Sequence, residues 1–180
     1  MQVERYLELK RRIIELGYER DVTWAENVGP CADAADFALE AVFVICNSGM
    51  RAQIARPIFN RVWAALNDGT PLDQVFGHVG KCGAIRFIFD NRKRLFKEYQ
   101  AADDKVSYLA SLPWIGGITK YHLAKNFGVD CCKPDRHLVR IAASYSLTPD
   151  EMCRRLAVET GDRIGTVDIV IWRSANLRLL

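Results

Sequence analysis

The stretch Leu112-Pro113-Trp114-Ile115-Gly116-Gly117-Ile118-Thr119 is followed, after a short amphipathic run, by Lys133-Pro134-Asp135-Arg136-His137-Leu138-Val139-Arg140. Proline, two adjacent glycines and a threonine between two helical patterns read as a tight turn joining two helices. The first amides of a helix have no partner inside it, so such a turn presents N–H groups that can hold a phosphate. The downstream Asp135 is then available to face the sugar attached to that phosphate. Together the two segments point to chemistry on nucleic acid.

Outward from this hairpin the chain reads as helix and loop. Val106, Leu109 and Ala110 predict a short helix running into the turn, and Thr119 to Phe127 a second, stopped at Gly128. Asp135 opens a helix with Leu138, Ile141, Ala142 and Tyr145 at i, i+3, i+4 and i+7. Thr148-Pro149-Asp150-Glu151 is a capping box with proline in the first turn, so a further helix runs toward Gly161. Thr166 is expected to cap the last helix, which carries Val167, Val170, Ile171 and Trp172.

Toward the N-terminus, residues from about Ile85 to Tyr99 are helical, and Gly77 through Gly83 reads as loop. Ile54, Ile58, Val62, Ala65 and Leu66 outline a helix interrupted near its start by Pro57. Asp33 is a natural N-cap for an apolar helix through Phe37, Leu39, Val42, Phe43 and Ile45. Val42 to Ile45 could also be a strand, but no other segment alternates with period two to pair with it, so a buried helix is expected. Val3 to Leu16 forms an amphipathic opening helix with Gly17 as its stop, and a loop holds Asn27, Gly29 and Pro30. The expected class is all-α.

The chain has 180 residues, 49% hydrophobic and 26% charged, an ordinary globular balance and enough length for a full core. No apolar run approaches the roughly 20 residues needed to span a bilayer, and the charged N-terminus lacks the apolar core of a secretion signal. No membrane association and an intracellular location are therefore expected. Net charge is only +3, so distribution matters more than composition. Arg86, Arg92, Lys93, Arg94 and Lys97 form one basic stretch, readable as a solvated helix face. Lys120, Lys125, Lys133, Arg136 and Arg140 surround the hairpin. The six cysteines, Cys31, Cys46, Cys82, Cys131, Cys132 and Cys153, show no Cys-x-x-Cys pair and read as reduced, mostly buried thiols. Their scatter does not supply the converging thiolates of an iron–sulfur cluster.

Leu112-Pro113-x-Ile115-Gly116-x-x-Thr119 and Pro134-Asp135-x-His137-x-x-Arg140 resemble the helix-hairpin-helix DNA glycosylase superfamily, the endonuclease III-like base-excision enzymes. Phe89-Asp90-Asn91-Arg92-Lys93 is similar to a short aromatic segment of that family. Asn47-Ser48-Gly49-Met50 stands in the place of its strand-penetrating loop. The resemblance implies an all-α, two-lobed helix-hairpin-helix glycosylase fold without the family's iron–sulfur cluster. The hairpin lobe would take about 35–142, and the second lobe about 1–34 plus 143–180. It further implies a monomer acting on double-stranded DNA that contains a damaged, mismatched or modified base.

Residue by residue, the resemblance makes Asp135 the catalytic carboxylate, although an Asp at a helix start is also a plain N-cap. Amides of Trp114, Gly116, Ile118 and Thr119, together with His137, would hold DNA phosphate. Trp114 departs from the pattern, because most relatives place glycine there. Carbonyls of Ala110, Leu112 and Ile115 would hold a monovalent cation, sodium or potassium, and no other cofactor is required. Met50, Arg51 or Gln53 would wedge into the duplex when the base is flipped out. Relatives that also cleave the strand carry a lysine where this chain has Ile118, so a monofunctional enzyme is implied. Lys120 lies about 200° around the helix from that position. A lyase using Lys120, or a non-catalytic module that keeps the hairpin for DNA binding, are the alternatives.

Overall fold

The computed structural model describes the backbone of residues 1–180 and every side chain except that of Ala52. In chain order the helices are α1 (Val3–Ile13), α2 (Glu19–Asn27), α3 (Ala34–Asn47), α4 (Ala52–Asp68), α5 (Val79–Ala101), α6 (Lys105–Ala110), α7 (Thr119–Asn126), α8 (Arg136–Ala143), α9 (Pro149–Thr160) and α10 (Ile164–Asn176). Among the described residues there is no strand. The Val42–Ile45 run is helical, because Phe37, Ala38, Ala41, Val42, Val44, Ile45 and Cys46 are all buried and α3 is apolar almost all round. Among the described residues, no helix is long and apolar enough to cross a membrane.

The chain divides into two compact units, Pro30–Phe127 and Met1–Gly29 with Gly128–Leu180. The division after Phe127 comes earlier than the boundary expected near 142. Leu138, Ile141 and Ala142 of α8 share one core with Tyr6 and Leu9 of α1, Met152 and Leu156 of α9, and Val167 and Ile171 of α10. The helix that Asp135 opens therefore belongs to the terminal unit, not to the unit that carries the hairpin.

In the hairpin unit, α3 packs on α4, α5 and α7, and α6 packs on α7. Phe37 stacks on Phe127 at 5.2 Å between ring centroids, and Tyr99 lies at 5.2 Å from Phe127. Burying an aromatic ring of that kind contributes about 2–3 kcal/mol. In the terminal unit, α10 packs on α1, α2, α8 and α9. Tyr6 donates its hydroxyl to Asp162 Oδ2 at 2.6 Å, and Lys10 donates to Asp162 and Glu26. These bonds satisfy the polar groups at the edge of that core.

Four local expectations change. Gly17, at φ 89°, leaves the helical region and ends the opening helix as expected, but α2 follows from Glu19 and takes in Asn27, which was expected in a loop. Pro57 sits inside α4, which runs on because Ala55, Phe59, Val62, Ala65 and Leu66 are buried on both sides of the missing N–H. Gly80 and Gly83 lie within α5, which begins at Val79 with the His78 ring accepting from Lys81 N–H. Thr166 is buried within α10 and does not cap it. Gly165 N–H instead donates to Asp130 Oδ1 at 2.9 Å, so the helix start is satisfied from a distant loop.

Candidate active site

The approach to the hairpin is set by two local devices. Lys105 donates to the carbonyls of Tyr99, Gln100 and Ala102 at 2.6–2.8 Å, closing the C-terminus of α5. Asp104 caps α6 by accepting from Ser107 N–H at 2.9 Å and Ser107 Oγ at 2.6 Å. The turn then tightens, with Leu112 N–H bonded to Leu109 O at 3.2 Å and Ile115 N–H to Leu112 O at 3.1 Å. Leu112 and Ile115 are buried and anchor it.

The predicted phosphate amides divide into two groups. Gly116 N–H donates to Thr119 Oγ1 at 2.7 Å, so an incoming phosphate would have to displace that hydroxyl. Ile118 precedes α7 with no side-chain cap, and the Ile118 and Thr119 amides have no described acceptor within the protein. A helix start left open in this way carries partial positive charge and suits an anion. The Ile118 side chain is apolar and 44% exposed, and it supplies no nucleophile. Lys120 has its ammonium 5.1 Å from the Tyr121 ring centroid. It also helps lower the Asp104 carboxyl, for which the Ser107 bonds are the larger cause.

Trp114 has φ 67°, the left-handed region in which a side chain is strained. Its indole Nε1 donates to Ser48 Oγ at 3.2 Å, and His78 meets the ring edge-on at 5.0 Å. Ser48 and Gly49 are the central residues of a tight turn, with φ −61°, ψ 122° at Ser48, φ 72° at Gly49, and Met50 N–H donating to Asn47 O at 3.1 Å. That is a type II turn, whose third position favours glycine. Of the wedge candidates on or beside it, Met50 is half-buried, whereas Arg51 and Gln53 are exposed.

Asp135 lies in the terminal unit at the start of α8. Its Oδ1 accepts from His137 N–H at 2.8 Å and Leu138 N–H at 3.1 Å, the N-cap geometry anticipated as its plain structural role. Both bonds go to one oxygen, which leaves Oδ2 for other work. The His137 amide is thus taken, and what remains to meet a phosphate there is the half-buried imidazole. The peptide before Asp135 is held as well, because Lys133 N–H donates to the buried Asp168 at 2.8 Å.

A scan against protein-family models returned no match, and neither did a comparison with curated proteins. Among solved structures, the crystal structure of the 8-oxoguanine DNA glycosylase of Thermotoga maritima is similar over 95% of this chain and 96% of that one, with a TM-score of 0.62 and 20% identity. The likeness is one of fold. It matches the all-α glycosylase architecture expected from the hairpin and the Asp135 segment.

Several residues near the candidate positions carry no sequence signal that would have found them. Lys81 is buried on α5 and donates to Ser48 O at 2.7 Å, and burial lowers its ammonium pKa. Glu40 accepts from Asn126 Nδ2 at 2.7 Å, and burial raises its carboxyl pKa. Arg56 lies over the Phe43 ring at 4.4 Å, and His122 meets Phe43 edge-on at 6.2 Å. In the first basic stretch, Arg94 pairs with Glu98 and Arg86 with Asp90, as on a solvated helix face. Four of the six cysteines are buried, as their scatter suggested.

Proposed function

We propose that this chain is a monofunctional DNA glycosylase that hydrolyses the N-glycosidic bond of a flipped-out base in double-stranded DNA. The observation that carries this reading is the open Ile118–Thr119 helix start, on a fold shared with a solved DNA glycosylase. The amides of Ile118 and Thr119 would grip a backbone phosphate, with Trp114 and Gly116 contributing at the turn and His137 on the terminal unit. The carbonyls of Ala110, Leu112 and Ile115 suit a sodium or potassium ion, since Leu112 O accepts a single described bond and the other two none. Such an ion would add positive charge beside the phosphate.

Cleavage builds positive charge on the sugar as the base departs with the bonding electron pair. The Asp135 carboxylate would stabilise that charge and take a proton from the water that adds to the anomeric carbon. Apolar Ile118 stands where a Schiff-base lysine would be needed, so an abasic site is left and the strand stays whole. The base is a damaged, mismatched or modified one. 8-oxoguanine is the first to test, because the similar Thermotoga protein is named for it. The chain would work as a monomer inside the cell.

The decisive experiment incubates the protein with duplexes bearing a panel of lesions and then treats them with alkali. Strand breaks that appear only after alkali support the reading. Breaks without alkali, with a borohydride-trappable adduct lost in Lys120→Ala, would favour the lyase. The capping bonds of Asp135 also suit a non-catalytic DNA-binding module, which predicts that no lesion yields an alkali-labile site.

A further inference from the structure

We infer that Trp114 is a positioning residue that locks the Asn47–Met50 turn to the hairpin, so that the turn is preset for entry into the duplex. The inference rests on the glycosylase reading. Glycine would occupy φ 67° without strain, whereas a tryptophan there costs about 1–2 kcal/mol. Trp114 is 44% exposed, so core burial alone does not account for a ring in that conformation. What its side chain does is join two turns that are 66 positions apart in sequence.

The join is built from both sides. A Cβ at Gly80 would lie 2.7 Å from Trp114 Cζ3, so the first turn of α5 is notched to admit the ring. His78, which caps that same helix, closes the ring edge at 5.0 Å. Ser48 is then held through two of its groups. Its hydroxyl accepts from the Trp114 indole at 3.2 Å and donates to Ile45 O at 2.9 Å. Its carbonyl accepts from the buried Lys81 ammonium at 2.7 Å.

Ser48 is the second residue of the turn and Met50 its fourth, so fixing Ser48 fixes where the turn points. A wedge ordered before DNA arrives loses less entropy on binding than one ordered afterwards.

The test uses full-length protein and a duplex in which 2-aminopurine flanks a tetrahydrofuran abasic analogue, a probe that does not depend on which base is excised. Wild type is expected to prefer this duplex over an intact one and to raise 2-aminopurine fluorescence as the wedge unstacks it. Trp114→Phe and Ser48→Ala should each lower that response about three- to tenfold, the worth of one hydrogen bond. The double variant should lose no more than Ser48→Ala alone, since that variant has already given up the indole bond together with the bond to Ile45 O. Affinity for intact duplex should stay at the wild-type level in Ser48→Ala, a split that general loss of folding would not produce. If wild type responds while Ser48→Ala and Trp114→Phe respond equally well, or their losses multiply, the positioning role is overturned. If wild type shows neither preference nor response, the glycosylase reading falls and takes this inference with it.

Discussion

Two helix starts in this molecule solve the same problem in opposite ways. At α8, Asp135 satisfies the His137 and Leu138 amides with its own side chain, and the helix is closed. At α7 the preceding residue is Ile118, which has no capping atom, and the Ile118 and Thr119 amides stay open. The Thr119 hydroxyl reaches back to Gly116 and leaves those two alone. An open start recruits an anion from outside, while a closed start holds a carboxylate in place. In the proposed enzyme the first is the grip and the second is the chemistry.

The comparison is tested most severely at Asp135. Asparagine is an equally good N-cap, so Asp135→Asn should fold normally while single-turnover excision falls by about a hundredfold or more. Wild-type rates in that variant would reduce Asp135 to a cap. The next test puts a carboxylate at the open start. Ile118 has φ −99° and ψ −40°, helical values from which a side chain does not cap, so Ile118→Asp should raise unfolding stability in denaturant titrations only by about 0.3–1 kcal/mol through the helix dipole, yet weaken duplex binding by about tenfold or more through repulsion of phosphate. A variant that is stabilised and binds as well as wild type would mean the hairpin amides do not meet DNA.

A smaller effect is expected at α9, whose capping box is complete, with Glu151 N–H on Thr148 Oγ1 at 3.2 Å and Thr148 N–H on Glu151 Oε2 at 2.8 Å. Thr148→Ala should lower stability by about 1 kcal/mol and leave excision by the folded protein untouched, separating a purely structural cap from Asp135. Lys120→Ala should do least. With the ammonium over Tyr121, excision should be unchanged and no borohydride-trapped species should be lost, as followed on denaturing gels.

Much of the fold was legible because its signals are local. Asp33 caps α3, Thr148 and Glu151 box α9, and the Leu138, Ile141 and Ala142 stripe of α8 is buried as its spacing required. The failures at Gly80, Thr166 and the stretch between 128 and 142 share one cause, which is a partner distant in sequence. Gly80 reads as a loop residue by composition, yet it is glycine inside a helix because the Trp114 ring lies against it. Thr166 looks like a cap, but Asp130 supplies that hydrogen bond from another segment. The stretch between 128 and 142 follows the hairpin in sequence and packs with the terminal helices.

By itself, the sequence determined an all-helical chain, a tight hairpin between two helices, an aspartate at the start of a later helix, and an apolar side chain at Ile118. These depend on backbone preferences and on residue chemistry, which act over one or two turns. Only the tertiary structure decided that Gly116 is already bonded to Thr119, that Asp135 caps with a single oxygen, and that Trp114 reaches Ser48. Hydrogen bonds and ring contacts of that kind depend on where side chains meet in space, and no local pattern encodes the meeting of residues 48, 80 and 114.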